Sequence, residues 1–319
     1  MKSLFNMVVV AIVALGIAAL WAQHDFLGEG PLPATVTLVF PPGTHFTTIV
    51  DTLAENNVIA HPDLFKARVF LRGVSSRFKA GEYIFPEHVS ARDVAIMMAQ
   101  GRTVVHHLTI PEGLMTSEIE AIIAHEPALD GEITLDIKEG ELLPETYNFS
   151  RGDKRNDILT RMRHAMDKAL DEAWKGREEN LPFATPEQAV TLASIVEKET
   201  SLASERPRVA AVYINRLHKG MLLQADPTTA YALTMGKYKL PRALTLDDLA
   251  LKSPYNTYQS PGLPPGPIAN PGKASIYATL HPVQSDELYF VATGTGGHNF
   301  ARTVEEHAIN VKKYREQKH

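Results

Sequence analysis

Hydrophobic positions divide the chain into one long apolar run near the N-terminus and a series of short helix and strand patterns after it. The run reads MVVVAIVALGIAALW from Met7 to Trp21, and no charge interrupts it between Phe5 and Ala22. Its length of about 18 residues is close to the ~20 that a transmembrane helix needs. Lys2 precedes the run and Asp25 follows it, so the positive-inside bias predicts a cytoplasmic N-terminus.

A cleaved signal peptide is the alternative interpretation of this run. The end of the run, Leu20-Trp21-Ala22, lacks the small-residue pattern of a cleavage site, and Trp21 suits an interfacial anchor. We therefore predict an uncleaved single-pass anchor over residues 1–23. The glycines and prolines that follow predict a linker over residues 24–34.

Residues 35–101 carry the pattern of a small α+β subdomain. The sequence predicts strands at 35–40 and 82–85, with helices near 46–58, 64–71 and 90–100. Ser90 is the expected N-cap of the last helix and Gly101 its stop. A strand, two helices and a strand in this order are found in LysM-type glycan-binding modules, although many small α+β units share the order.

Residues 102–319 predict a larger mixed α+β domain. Strands are expected at 104–110 and 288–292, and a loop at 140–149. Helices are expected at 116–125, 156–174, 186–200, 203–217 and 304–317. The predicted fold class is therefore α+β, with an N-terminal transmembrane helix, the LysM-like subdomain and this larger domain.

Charge and composition exclude several classes of function. The net charge of −5 argues against a nucleic-acid-binding protein, which usually presents a basic face. The sequence contains no cysteine, which removes disulfides, thiolate catalysis and cysteine–metal sites. The 13 histidines form no HExxH motif, so we predict no metal site. No GxSxG motif occurs, and the Ser76/Lys79 pair lacks the companion motifs of an acylating serine enzyme.

The helix predicted at 186–200 ends in an unusual acidic pair, Glu197 and Glu199. Two residues apart, they cannot share a helix face. The residues one and two turns before Glu199 are apolar, whereas those before Glu197 are smaller and more polar. Glu199 is thus the better candidate for a desolvated carboxyl with a raised pKa, as a general acid near neutral pH requires. The simpler alternative is that both are surface glutamates.

A proline-rich segment, SPYNTYQSPGLPPGPIANPG, follows from Ser253 to Gly272. Six prolines and three glycines exclude a helix or central strand and hold the segment in an extended course. Tyrosines and amides on a rigid loop suit sugar, since rings stack and amides accept or donate hydrogen bonds. A purely structural loop explains the segment equally well.

Other acids could partner Glu199, since a hydrolytic glycosidase uses two carboxylates. Glu205 and Asp226 each precede a helix start, so capping accounts for them, and Glu145 lies in the predicted loop.

Many motifs in order resemble one family, the endolytic murein transglycosylases, also called YceG-like. They are PEG, LPETYNF, ASIVEKET, ERPRVAAVYINRL, GMLLQADPTTAYAL, SPYNTY, GLPPGPIANPG, LYFVATGTGGHNF and the late Glu-His pair. The resemblance covers essentially the whole chain, with no departure at these positions. It implies an inner-membrane protein with a periplasmic catalytic domain, which acts on peptidoglycan strands beside the penicillin-binding proteins of elongation.

The family resemblance also implies the chemistry. It implies cleavage of the MurNAc–GlcNAc β-1,4 bond within glycan strands, leaving 1,6-anhydro ends, with Glu199 as the essential acid and no cofactor. Expected cleft residues are Gln224, Tyr255, Asn256, Thr257 and Tyr258. Two alternatives remain at this point: a non-enzymatic glycan-binding scaffold for cell-wall synthases, and a hydrolytic muramidase.

Overall fold

The apolar N-terminal run forms one continuous helix, α1 (Lys2–Leu27). Residues 3–27 of this helix are long and apolar enough to cross a membrane. Side chains over residues 3–21 have no protein cover, as shown by Val10 and Leu15, which are 67% and 70% exposed. The prediction of a membrane-spanning helix is therefore confirmed in its length and composition. Its predicted orientation depends on Met1 and the side chain of Lys2, which lie outside the described residues.

The helix is longer than the predicted anchor and continues into the predicted linker. Phe26 is buried in a hydrophobic core with Leu32 and packs near Phe65, with ring centroids 6.5 Å apart. Burial of that ring stabilises the last helical turn, which ends where the amide of Gly28 donates to the carbonyl of His24. The segment after the anchor is therefore part of a folded core.

The computed structural model describes residues 2–317, and these divide into two compact units. The first comprises the chain up to His107 with residues 128–130 and 148–153, and the second comprises residues 108–127, 131–147 and the chain from Lys154. Within the described residues the secondary structure is mixed α+β, as predicted, and its strands pair in three two-stranded sheets.

The first unit is built around an antiparallel strand pair covered by helices. After α1 its elements are β1 (Val36–Phe40), α2 (Phe46–Glu55), α3 (Pro62–Leu71), β2 (Gly81–Phe85) and α4 (Ala91–Gln100). β1 and β2 pair antiparallel with Val36 opposite Phe85. Ser90 caps α4 by accepting from the amide of Asp93, and Gly101 ends it in the left-handed conformation, as the sequence predicts.

The second unit is mainly helical. β3 (His106–Thr109) and β4 (Thr146–Phe149) pair with each other, and each strand has residues in both units. The helices are α5 (Thr116–His125), α6 (Arg155–Lys175), α7 (Pro186–Glu199), α8 (Arg206–His218), α9 (Asp226–Thr234), α10 (Leu246–Leu249) and α11 (Lys273–Leu280). The chain ends with the antiparallel pair β5 (Tyr289–Ala292) and β6 (His298–Ala301), followed by α12 (Val304–Gln317).

Helix α7 is the centre of the second unit and packs against α6, α8, α9 and α11. Thr185 starts it with a capping box, in which its hydroxyl accepts from the amide of Gln188 and the Gln188 side chain accepts in return. All residues from Ala189 to Val196 are buried. A helix buried on every side can end in the interior of the unit, so its last turn carries the acidic pair into a shielded environment.

Several elements differ from the sequence-based expectation. Residues 146–149, predicted as loop, form β4 because Tyr147 and Phe149 alternate inward on a half-buried strand. The sequence predicted a helix start at Asp226 but not the extent of α9, and it did not predict α10, α11 or β6. The short patterns of α9 and α11 show little amphipathic periodicity. The proline-rich segment 253–272 forms neither helix nor strand, as predicted.

Candidate active site

Glu199 is the last residue of α7, and its side chain is held by a single tyrosine. The hydroxyl of Tyr213, on α8, donates to Oε1 of Glu199 at 2.8 Å. Tyr213 is 2% exposed and belongs to the core between α7 and α8, so the donor is fixed in place. A neutral hydroxyl facing a carboxyl can serve either protonation state of that carboxyl.

The pKa of Glu199 is raised to about 7, chiefly by burial and in smaller part by the nearby negative charge of Asp226. The hydrogen bond from Tyr213 and the positive charge of Arg216 act in the opposite direction. Desolvation is the largest cause, because removing a carboxylate from water disfavours its charged form. At neutral pH this carboxyl can therefore both release and accept a proton.

The Glu199 carboxyl opens into a cavity of about 290 Å³. We call it the Glu199 cavity, and it is lined by Glu199, Tyr213, Arg216, Leu223, Gln224, Asp226, Tyr258, Phe290 and His307. Three residues expected from the sequence to form the site, namely Glu199, Gln224 and Tyr258, thus share one cavity wall. The remaining lining comes from α8, Leu223, the start of α9, β5 and α12. Of these residues the sequence considered only Asp226, as a possible partner of Glu199, and attributed it to capping.

A second carboxylate, Asp226, lies in the wall of the same cavity. Its Oδ1 accepts from the hydroxyl of Tyr258 at 2.6 Å. Burial raises the pKa of Tyr258, with a further contribution from this hydrogen bond, so the phenol stays neutral. The sequence attributed Asp226 to a helix start, but α9 has no side-chain cap and the carboxylate faces the cavity instead.

Arg216 and His307 add a cationic and a neutral side chain to the wall. Arg216 is 8% exposed and is fixed by donating from Nε to the carbonyl of Leu288 at 2.6 Å and from Nη1 to that of Leu223 at 2.7 Å. Burial lowers the pKa of His307, and the charge of Arg216 lowers it further. The cavity therefore places one fixed guanidinium near two carboxyls and an uncharged imidazole.

Glu197, the first acid of the pair, is structural in its contacts. Its Oε1 accepts from Nη2 of Arg206 at 2.8 Å, and its Oε2 accepts from the amide of Gly272 at 2.9 Å. The Glu197 side chain is only 4% exposed, and Arg206 also reaches Glu112 at 3.0 Å. The sequence predicted that burial would distinguish Glu199 from Glu197, but Glu197 is also shielded from solvent. Among the described residues, the difference lies in the partners: the cation Arg206 pairs with Glu197, whereas the neutral hydroxyl of Tyr213 bonds to Glu199.

Asn256 and Thr257 are fully buried and are not among the residues that line the Glu199 cavity. Asn256 accepts from the hydroxyl of Thr229 at 2.7 Å and donates to the carbonyl of Leu251 at 2.8 Å. The hydroxyl of Thr257 accepts from the amide of Ala225 at 3.0 Å. The Thr257 contact holds the residue before α9, and the Asn256 contacts join α9 to the segment after α10, so both side chains support the site without lining it.

Gln224 has a strained backbone at the edge of the cavity. Its φ of 50° lies in the left-handed region, which is unfavourable for a residue with a Cβ. The carbonyl of Thr257 holds it by accepting from its amide at 3.1 Å. Such strain is retained where surrounding structure enforces it, often at functional sites. The proline-rich segment thereby fixes the exposed Gln224 side chain at the cavity.

Tyr255 and Glu205 lie outside this cavity. The Tyr255 ring packs against Tyr231 with centroids 4.9 Å apart. Glu205 accepts from Nδ1 of His298 at 2.7 Å and from its amide at 2.9 Å, so its carboxylate anchors the glycine turn. The sequence attributed Glu205 to helix capping, but it makes no side-chain cap, because the turn before His298 supplies better donors.

The arrangement supports proton transfer at one carboxyl next to a fixed cation and several hydroxyl donors. Within residues 2–317, no group of three or more histidine, aspartate or glutamate side chains is placed to hold a metal ion. The chemistry that these side chains offer is general acid and base catalysis with electrostatic stabilisation of developing charge.

The chain as a whole is similar to proteins whose names are known. The chain is 32% identical over 311 residues to a protein of Bacillus subtilis named endolytic murein transglycosylase, covering 88% of this chain and 85% of the relative. It is 28% identical over 326 residues to a protein of the same name from Streptococcus pneumoniae, of which it spans 58%.

A solved structure is also similar. A crystal structure of a YceG-like protein from Listeria monocytogenes matches with a TM-score of 0.55 and 31% identity, over 87% of this chain and 99% of that chain. The model of the YceG-like family matches residues 38–313. The chain therefore belongs to the YceG-like family.

Proposed function

We propose that this chain is an endolytic murein transglycosylase in which Glu199 is the single general acid and base. The observation that carries the proposal is the Glu199 carboxyl, whose pKa lies near 7 in a cavity lined by Tyr213, Arg216 and Asp226. Relatives named endolytic murein transglycosylase supply the substrate class, the glycan of peptidoglycan.

In the proposed reaction, protonated Glu199 donates its proton to the oxygen of the MurNAc–GlcNAc β-1,4 bond. The bond between C1 and that oxygen breaks, and GlcNAc leaves with a hydroxyl at C4. The Glu199 carboxylate then removes the proton from the C6 hydroxyl of MurNAc as O6 bonds to C1. The product is a 1,6-anhydro end, and Glu199 regains its proton.

One carboxyl suffices in this scheme because the nucleophile belongs to the substrate. A tethered hydroxyl reacts at a high effective concentration, and no water needs a second base. Positive charge develops at C1 as the bond breaks. Asp226, positioned by the 2.6 Å hydrogen bond from Tyr258, supplies a negative charge in the same cavity that stabilises it.

The same Asp226 supports a second candidate, a hydrolytic muramidase. A hydrolase uses one carboxyl as acid and another to activate water or form a glycosyl intermediate, and both Glu199 and Asp226 line the cavity. The single-acid scheme is favoured because the Asp226 oxygen is engaged by Tyr258, and because the relatives are named transglycosylases.

We extend the proposal to the membrane helix, the small subdomain and the partner proteins. We place α1 across the inner membrane with its N-terminus in the cytoplasm and the catalytic domain in the periplasm. Residues 35–101 are proposed as a LysM-like glycan-binding subdomain, a proposal supported by the order of β1, α2, α3 and β2 and by the antiparallel strand pair. That penicillin-binding proteins of elongation are its partners stays a prediction.

Mass spectrometry of the products from purified glycan strands tests the proposed function. The proposal predicts 1,6-anhydro ends and no oxygen taken from ¹⁸O-labelled water. Labelled reducing ends would instead show a hydrolase, and an absence of cleavage by folded protein would show a binding scaffold.

A further inference from the structure

A second, larger cavity lies beside the Glu199 cavity and is not used by the proposed chemistry. Its volume is about 430 Å³, and Asp226 lines both cavities. Lys198, the residue immediately before Glu199, also lines it. We call it the Lys198 cavity. Since the two cavities share Asp226, a substrate held at Glu199 can extend a substituent into the second one.

Two lining side chains of the Lys198 cavity are held by contacts within the protein. Lys198 donates from Nζ to the carbonyl of Gly113 at 3.0 Å, which holds its stem along the wall. Arg242 pairs with Asp248 through two bonds of 2.5 Å and 3.0 Å. A cavity whose loop is fixed in advance loses little entropy when it binds a ligand.

The chemistry of these walls differs from that of a sugar site. Much of the lining is apolar: Leu114, Met115, Pro227, Ala230, Leu240, Leu244 and Ile268. The carboxylate of Glu118 is held at the wall by accepting from the amide of Met115 at 2.9 Å. Lys198 and the exposed Lys239 add ammonium groups and Asp226 adds a second carboxylate, so the cavity joins an apolar floor to charges of both signs.

We propose that the Lys198 cavity binds the peptide attached to the lactyl group of MurNAc. This inference depends on the proposed function, which places a muramoyl residue at Glu199. Glycan itself is uncharged apart from that lactyl group, whereas the attached peptide combines carboxylates with small apolar side chains. Lysine ammonium groups attract the carboxylates, and the apolar floor receives the alanine methyls.

Binding measurements distinguish the contribution of the peptide to affinity from that of the sugar. The full-length protein in detergent micelles, with Glu199→Gln to prevent turnover, is titrated with short glycan fragments that carry peptides. The same fragments with the peptides removed by an amidase are titrated in parallel. We expect the peptide-bearing fragments to bind more tightly.

Two variants of the Lys198 cavity and one matched control test whether the peptide-dependent affinity arises in this cavity. Lys239→Glu reverses an exposed charge at the cavity, and Ala230→Phe fills its floor. We expect Lys239→Glu to weaken the binding of peptide-bearing fragments by roughly tenfold, the effect of reversing one close charge. The affinity for fragments without peptides should not change. Lys237→Glu makes the same change two residues away, at an exposed side chain outside the cavity, and leaves both affinities unchanged.

The inference is overturned if both cavity variants weaken the two kinds of fragment equally, which would make this a saccharide subsite. It is also overturned if neither variant changes either affinity. Cleavage by the unmodified protein is measured separately. Peptide-dependent binding without any cleavage would contradict the proposed function, while cleavage without peptide-dependent binding would contradict only the peptide site.

Discussion

The hydroxyl of Tyr213 donates a 2.8 Å hydrogen bond to Oε1 of Glu199, and Tyr213 is itself 2% exposed. Burial raises the pKa of Tyr213 well above its usual range, so the phenol remains a neutral donor. It therefore orients Glu199 without supplying a full charge that would fix the carboxyl in its ionised form. Asp226 and Arg216 then shift the Glu199 equilibrium in opposite directions.

The first prediction concerns the pH dependence of cleavage. Glu199 must be protonated to act as the acid, so with its pKa at about 7 we expect kcat/KM to fall as pH rises above 7. In Tyr213→Phe the carboxylate loses a hydrogen bond that lowers the Glu199 pKa, so the fall moves to higher pH. In Asp226→Asn the negative charge that raises the pKa is gone, so the fall moves to lower pH.

Rate profiles of kcat/KM against pH for the three proteins check these opposite shifts. Gln188→Ala at the far end of α7 serves as a control, because it removes a capping contact without touching the cavity. Shifts of the same sign in Tyr213→Phe and Asp226→Asn would show that Glu199 does not control the alkaline limb.

A second prediction concerns the first acid of the pair. Glu197→Gln leaves the buried Arg206 guanidinium with less opposing charge, where the paired side chains are 9% and 4% exposed. Breaking a buried ion pair costs about 3–5 kcal/mol, so the free energy of unfolding should fall by about 3 kcal/mol. Denaturant unfolding measures this loss.

Glu187→Gln is the matched control for that variant. Glu187 lies in the first turn of the same helix and is exposed, so the change in unfolding free energy should stay within about 0.5 kcal/mol. Equal effects of the two substitutions would contradict a structural role for the Glu197–Arg206 pair.

A third prediction separates two neighbours in the proline-rich segment. Asn256→Ala leaves the hydroxyl of Thr229 and the carbonyl of Leu251 without their buried partner, which should cost about 1–3 kcal/mol of stability. Tyr258→Phe removes only the hydrogen bond to Asp226 at the cavity, so it should lower kcat/KM with a smaller loss of stability, about 1 kcal/mol.

Thermal unfolding and steady-state kinetics of the two variants test this difference. The reverse pattern, with Asn256→Ala stable but inactive and Tyr258→Phe unfolded, would show that Asn256 binds substrate and that Tyr258 supports the fold.

The larger elements of the fold could be predicted because their signals are local. Thr185 and Ser90 cap helices with side-chain hydrogen bonds, and Gly101 ends one in the left-handed conformation. Only the start of helix α9 was predicted, at Asp226 and Pro227, because tertiary contacts rather than periodicity hold the rest of this helix. The last turn of α1 was missed for a related reason, since Phe26 finds its core partners elsewhere in the sequence.

Of the residues that line the cavity, the sequence analysis named Glu199, Gln224 and Tyr258 as candidates. Glu199 was preferred to Glu197 because apolar residues precede it by one and two turns on its own helix, and burial is the largest cause of its raised pKa. Arg216 and His307 were missed because they reach the cavity from α8 and α12, and no sequence spacing links those helices to α7. The ion pair of Glu197 with Arg206 was missed likewise, because its partner lies beyond the end of the helix.

Cleavage of purified glycan strands by Glu199→Gln, beside the unmodified protein, tests the central claim most directly. Products are counted by mass spectrometry, and circular dichroism and glycan binding confirm that the variant is folded. The account predicts 1,6-anhydro ends from the unmodified protein and a rate lower by about 10²–10⁴-fold in Glu199→Gln, the usual contribution of a general acid and base. Cleavage by Glu199→Gln at the unmodified rate, with Glu197→Gln inactive under conditions where it is folded, would contradict it.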